Sequence, residues 1–150
     1  MNTDIILFSA TGNTFYLLDA RKVTTKLNWA KLAKYLCSSN KDSRVDGLLV
    51  LENSKKADVR MRIFNSDGSE AEMCGNGARA TANYEGLAAK KKSIKIETMA
   101  GIVEAKLLTS EVKIKLTDPS EIQLNMPIEV NSRRIRVSFI NTGVPHVVVF

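Results

Sequence analysis

The segment Ala78-Arg79-Ala80-Thr81-Ala82-Asn83-Tyr84-Glu85-Gly86-Leu87-Ala88-Ala89 predicts a helix with small residues along one side. Such a helix lets neighbouring backbone come close and suits the middle of a fold better than its surface. The rest of the chain offers strands to surround it. Ile94/Ile96, Ile102 to Leu108, Val112/Ile114/Leu116 and Ile135/Val137/Phe139 fall on the two-residue period of half-buried strands. Upstream, Val59, Met61 and Ile63 alternate with Arg60 and Arg62, while Gly47 to Leu51 reads as a buried strand. Ile5 to Phe8 and Phe15 to Leu18 flank Thr11-Gly12-Asn13-Thr14 as the arms of a hairpin. Asn65-Ser66-Asp67-Gly68, Thr98-Met99-Ala100-Gly101 and Leu108-Thr109-Ser110-Glu111 supply turns. A further helix starts at an Asn28 cap and carries Trp29, Leu32, Ala33 and Leu36 at i, i+3, i+4 and i+7. Cys37 extends that stripe and is expected in the core. The class is α+β, with a mostly antiparallel sheet.

Two features mark the second part of the chain. Asp118-Pro119-Ser120 interrupts the strand pattern, and Val147-Val148-Val149-Phe150 is an apolar run of the kind that belongs inside a sheet, paired on both sides. Together they predict a first domain over residues 1–118 and, over 119–150, the beginning of a second domain, most of it missing.

Charge and composition exclude several functions. Lys and Arg number 22 against 16 Asp and Glu, a net +6 that would suit nucleic acid if it were concentrated. It is not. Lys90-Lys91-Lys92 follows the Ala-rich helix, where the dipole favours cations, and Lys113 and Lys115 fall on the wet side of a strand. Arg133, Arg134 and Arg136 sit beside a hairpin turn, and no aromatic residues interleave with these groups as a stacking platform. Nucleic acid is therefore not an expected partner. No apolar run approaches the roughly 18–20 residues of a membrane helix. Met1-Asn2-Thr3-Asp4-Ile5 lacks the basic start of a signal peptide. No membrane partner is expected, and the expected location is cytoplasmic. Cys37, Cys74 and a single histidine are too few for a disulfide scaffold or a four-ligand zinc site, so no metal is expected.

The densest polar and glycine-rich stretch runs from Phe64 to Gly77 and converges on Cys74. Its thiol lies just before the Ala-rich helix, where unpaired N–H groups and the dipole favour an anion. Gly75 and Gly77 allow close backbone approach to a ligand and positive φ. The same N–H groups suit a substrate carboxylate, and Asn65 and Asn76 offer amides that orient a polar substrate without adding charge. The plainer alternative is a small buried Cys74 beside a tight turn. The phosphate-loop and Gly-x-Ser-x-Gly templates are absent. Gly75 to Ala80 fits a relaxed dinucleotide turn, but the polar residues before it are not a buried strand.

Met61 to Arg79, read as Met-Arg-Ile-Phe-Asn-Ser-Asp-Gly-Ser-Glu-Ala-Glu-Met-Cys-Gly-Asn-Gly-Ala-Arg, resembles the signature segment of the diaminopimelate epimerase family. Thr11-Gly12-Asn13-Thr14-Phe15 resembles its Gly-Asn-Asp-Phe element, and Asp46-Gly47-Leu48-Leu49 its Ala-Asp-Gly-Leu segment. Asn141-Thr142-Gly143-Val144-Pro145-His146 resembles the Gly-Asn-Pro-His element that opens the second half. The resemblance spans essentially this whole chain and only the first half of the family's protein. It implies two similar halves, each a sheet wrapped around a central helix, with substrate between them. It implies no cofactor, Cys74 as one of two catalytic cysteines, and Asn13, Asn65, Gly75 and Asn76 as binders of the amino-acid head of diaminopimelate. It places His146 near the catalytic pair, tuning its charge.

The family's departures here are Thr14 in place of Asp, Val144 where many members have Asn, and Ser43-Arg44-Val45 in place of a glycine-containing approach to Asp46. The Glu-Arg pair and second Cys-Gly-Thr/Ser-Gly loop of the family's second half have no counterpart in the chain. The resemblance therefore implies isomerase chemistry in lysine and cell-wall precursor synthesis, with half an active site here. A C-terminal half or companion chain is an expected partner, and the family's homodimer a further expectation. Two other readings remain open: a related cofactor-free racemase or isomerase of the same fold, and a non-catalytic half-domain that binds.

Overall fold

The computed structural model describes residues 4–39, 45–116 and 118–149. β1 (Ile5–Ala10) turns into β2 (Asn13–Asp19) through Thr11 and Gly12, at φ 51° and 89°. Two such residues in succession make the tight hairpin whose twist matches paired strands. A short 3-10 turn (Ala20–Lys22) leads to α1 (Trp29–Ser39), β3 (Gly47–Glu52), β4 (Val59–Asn65), β5 (Glu70–Ala71) and α2 (Gly75–Ala89). β6 (Ser93–Thr98), β7 (Gly101–Leu107) and β8 (Val112–Lys115) finish the main sheet. β9 (Ser120–Val130), β10 (Arg133–Asn141) and β11 (Pro145–Val148) form a separate antiparallel one.

The main sheet runs β1-β2-β3-β4-β6-β7-β8, with β5 paired to β4. β2/β3 and β4/β6 are parallel; the other pairs are antiparallel. α2 touches every strand along that path, so the sheet curls around the helix. The small side chains make this possible: Ala78, Ala80, Thr81, Ala82 and Gly86 are all buried. A Cβ on Gly77 would lie 2.9 Å from Leu49 Cδ2 and 3.5 Å from Ile63 Cδ1. Leu49 and Ile63 face each other across β3 and β4, so Gly77 lets the first turn of α2 settle onto the sheet. The expectation of positive φ is corrected, since neither Gly75 nor Gly77 takes it, and what Gly77 serves in the fold is packing.

The far face of the sheet carries α1. Leu18, Leu48, Val50 and Phe64 close on Ala33, flanked by Trp29, Leu32 and Leu36. Leu49 and Leu51 point the other way, into the core around α2. β3 is thus apolar from Gly47 to Leu51 because both its faces are covered. Asn28 Oδ1 accepts the Lys31 N–H at 3.0 Å, the expected cap. Cys37 is only half-buried and joins neither core cluster, because α1 buries Ala33 and half-buries the positions one turn on.

The small sheet is largely exposed. β11 pairs with β10 alone among the described residues, with Val147 and Val149 58% and 60% exposed. Among the described residues the closing apolar run thus lies at a sheet edge; Phe150 lies outside them, as do Ser43 and Arg44. Val144, in the β10–β11 turn, packs against the core around α2.

One buried charge cluster ties β2 to α2. Arg21 bonds Asp19 through Nε (2.7 Å) and Glu85 through Nη2 (2.6 Å), and both carboxylates are buried. Burial pushes the Asp19 carboxyl up, but hydrogen bonds and charge from Arg21 outweigh it and hold the group below its ordinary value. Its contribution is present above about pH 4 and is lost as pH falls through the lowered pKa. Arg21→Met is expected to destabilise the protein by about 3–5 kcal/mol near neutral pH in urea unfolding, because it strips the buried Glu85 carboxylate of its partner and leaves Asp19 only Tyr84 and Lys22. That deficit should shrink as acid neutralises Asp19. A deficit independent of pH would contradict this account of the cluster.

Candidate active site

β2 and β3 run parallel and β4 antiparallel to them, so the starts of β2 and β3 share one end of the sheet with the end of β4. Phe15, Gly47 and Asn65 stand in a row there. This topology gathers Asn13, Asp46 and Asn65, residues far apart in sequence. Gly47 leaves no room for a side chain, since a Cβ would collide with the Phe64 carbonyl oxygen. The first turn of α2 lies over the same end, held by Gly77 on Leu49 and Ile63.

Cys74 caps that helix. Its backbone is extended (φ −143°, ψ 123°), its Sγ accepts the Gly77 N–H at 3.4 Å, and its carbonyl accepts the Ala78 N–H at 2.9 Å. The N–H groups of Gly75 and Asn76 are left without a partner among the described residues. Two free donors at the positive end of a fifteen-residue helix are suited to an anion. Gly75 is open: a Cβ there would meet only Arg79 Nη1, at 3.6 Å. The approach to Cys74 is braced by Arg62, which bonds Glu70 through Nε and Nη2 (2.7 and 2.8 Å) and Glu52 through Nη1 (3.3 Å). The hydrogen bonds from Arg62 hold the Glu70 carboxyl below its ordinary value against the opposing effect of burial. The guanidinium also lies 4.9 Å from the Phe64 ring centre.

A chain of side-chain hydrogen bonds crosses the mouth of the helix. Arg79 Nη1 donates to Asn76 Oδ1 (3.0 Å), Asn76 Nδ2 to Asn13 Oδ1 (2.7 Å), and Asn13 Nδ2 to Asp46 Oδ2 (3.1 Å). The same Asp46 oxygen accepts the Thr14 N–H at 2.8 Å, and the Asp46 N–H donates to the Thr14 carbonyl at 2.8 Å. The backbone of Thr14, not its side chain, makes these bonds.

The structure therefore brings together Cys74, Gly75, Asn76 and Asn13. Asn65 reaches the same end of the sheet, but its amide donates to Ser69 Oγ at 2.9 Å and its carbonyl accepts the Gly68 N–H. It belongs to its own turn. His146 stands exposed on β11 with its ring engaged locally, Nδ1 2.7 Å from the Val144 carbonyl and 3.4 Å from Thr142 Oγ1. A carbonyl only accepts, so Nδ1 carries the proton. No hydrogen bond joins His146 to Cys74. Arg79 and Asp46 were not singled out as site residues from sequence. Arg79 lies three positions after Asn76, a spacing that shares a helix face, and that spacing was the available signal. A cleft of about 480 Å³ opens between β1 and β8 and is lined by Arg79 and Asn83, with Cys74 outside its lining. Among the described residues no group of three or more His, Cys, Asp or Glu is placed to hold a metal. No described helix is long and apolar enough to cross a membrane.

The sequence profile of diaminopimelate epimerase matches residues 6–122. The chain belongs to the diaminopimelate epimerase family. It is 40% identical to the diaminopimelate epimerase of a Nitratiruptor species, over 97% of this chain and 56% of that protein. Against that of Caldanaerobacter subterraneus subsp. tengcongensis it is 36% identical over 93% and 57%. The chain thus spans about half the length of the curated relatives it matches. Among solved structures, a probable proline racemase from Agrobacterium radiobacter with bound carbonate superposes at TM-score 0.69, with 16% identity over 99% of this chain and 52% of that one. A phenazine biosynthesis protein of Bacillus anthracis superposes at 0.66 with 22% identity, over 98% and 53%. These likenesses show the fold, an α+β half with a curled sheet around one helix and a small extra sheet.

The two thiols of this family member stand in different settings. Burial, with a smaller contribution from the Asp46 charge, pushes the Cys37 thiol above its ordinary value. Cys74 faces backbone N–H groups and the start of α2. Iodoacetamide near neutral pH is expected to alkylate Cys74 first, followed by mass spectrometry of peptides. Faster labelling of Cys37 would contradict the reading of the helix start.

Proposed function

We propose that this chain carries the first half-site of a diaminopimelate epimerase, which interconverts the LL and meso forms by proton transfer between two cysteines without a cofactor. Cys74 supplies the thiol on one face of the α-carbon. The second thiol comes from the family's other half, which residues 119–150 begin. The observation that carries this reading is the Cys74 cap, with Sγ on the Gly77 N–H beside two free N–H groups and the Asn13–Asn76 amide pair.

Inversion requires removing a proton from one face and delivering another to the opposite face, which two groups on opposite sides perform better than one rigid base. Negative charge builds on the substrate carboxylate as the α-proton leaves. The N–H groups of Gly75 and Asn76 would meet that charge, and helix-terminal donors held in place need no reorganisation at that moment. Asn13 and Asn76 orient the amino-acid head, and closure by the second half excludes water. On this reading Asn65 contributes only if its amide leaves Ser69. His146 acts from the small sheet, with the protonated Nδ1 held by Val144.

The exposed apolar residues of the small sheet, Ile122 and Leu124 (60% and 72% exposed) among them, support packing against that second half. The location follows from the substrate and is cytoplasmic. The test is chiral chromatography of LL-diaminopimelate incubated with this chain plus the C-terminal half of a curated relative. Meso product is expected, and Cys74→Ala should lower its rate by roughly 10²–10⁴-fold. Inversion of proline or 4-hydroxyproline in place of diaminopimelate would favour a related racemase of this fold. Binding without turnover in the paired halves would favour a non-catalytic role.

A further inference from the structure

An asparagine amide can bond either way round, because its oxygen and NH₂ group occupy nearly the same space. A row of amides alone has no preferred sense. The row at the mouth of α2 has one, because its ends are unlike. Arg79 can only donate, and the Asp46 carboxylate accepts. Donation therefore runs in one direction, from Arg79 through Asn76 and Asn13 to Asp46. Turning the Asn76 amide over would set its NH₂ against Nη1 and its oxygen against the Asn13 oxygen, losing both bonds. Turning Asn13 over would set its oxygen against a carboxylate.

We propose that Arg79 and Asp46 are positioning residues that fix the orientation of the Asn76 and Asn13 amides for the head of a zwitterionic amino-acid ligand. The inference rests on the reading of the α2 start as an amino-acid site. An amino-acid head has an acceptor in its carboxylate and a donor in its ammonium, so it distinguishes the two orientations of each amide. With both ends anchored, each Nδ2 keeps one N–H and each Oδ1 one lone pair in a place set before the ligand arrives. Arg79 stands at the end of the row nearest the free N–H of Gly75, where a Gly75 Cβ would lie 3.6 Å from its guanidinium. The positive end of the row and the positive end of the helix coincide.

The test uses the ¹⁵N-labelled chain, with the Asn13 and Asn76 side-chain amide signals assigned through Asn13→Ser and Asn76→Ser. Arg79→Met is expected to displace the Asn76 pair and, through it, the Asn13 pair, with melting and the backbone signals of β6 and β7 unchanged. Arg79→Lys, which keeps a donor, should restore both pairs toward their original positions. Asp46→Ala removes the acceptor at the other end and should split the Asn13 signals into two states, whereas Asp46→Asn, whose oxygen the Thr14 N–H holds in place, should not. Titration with LL-diaminopimelate should show about tenfold weaker binding to Arg79→Met. Amide signals unmoved by Arg79→Met, or no restoration by Arg79→Lys, would overturn the proposal. So would displaced amides with unaltered affinity. If the amides move as expected but the unaltered chain binds no diaminopimelate, the positioning role stands and the choice of substrate fails.

Discussion

The close seating of α2 on β3 and β4 is the constraint on which the rest of this molecule depends. Gly77 allows it, Leu49 and Ile63 receive it, and the alanines behind Gly77 let seven strands curl around a single helix. A bulkier first turn would lift the helix from the sheet. The capping position held by Cys74 would then leave the sheet end where Asn13 and Asp46 stand. Packing in the core thus sets the geometry of the polar mouth, and a chemically competent helix start follows from apolar contacts one turn away.

Polar groups fix what packing leaves free. Arg62 ties the β4–β5 hairpin that delivers Cys74, and Arg21 ties β2 to α2 at the far end of the helix. Both are arginines that bridge two carboxylates, so each joins three points of the backbone with one rigid fork. The Arg79–Asn76–Asn13–Asp46 row adds direction to the same scaffold. The chain spans about half the length of the curated relatives it matches.

Much of this was legible in the sequence, for identifiable reasons. Alternation in Val59–Ile63, the apolar run of β3 and the Thr11-Gly12 turn each report local backbone physics directly, and each forms as expected. The grouping of Asn13 and Asn76 with Cys74 follows from motif resemblance; in the fold a hydrogen bond joins the two amides across the start of α2. β9 carries the same two-residue signal, with Ile122, Leu124, Met126, Ile128 and Val130 apolar in turn, but the signal hides its irregularity: Pro127 stands inside it, and Glu121 and Asn125 take positive φ where the register with β10 shifts. The packing role of Gly77 is not legible, because sequence shows that a glycine is present and not which neighbour needs it. The spacing of Asn76 and Arg79 marks a shared helix face, but a relay through two amides to Asp46 has no signature until the strands are placed.

The central claim, that Cys74 is one of two proton carriers on opposite faces, is tested most directly by running the reaction in D₂O. LL-diaminopimelate would be incubated with this chain and the complementary half of a relative, and NMR would follow the α-protons of recovered substrate and of product. A thiol carries a single proton, so abstraction by one cysteine and delivery by the other should place deuterium in the meso product from the first turnovers. Early recovered LL substrate should keep its original proton. Product that retains the substrate's own proton would mean one base serving both faces and would contradict the account.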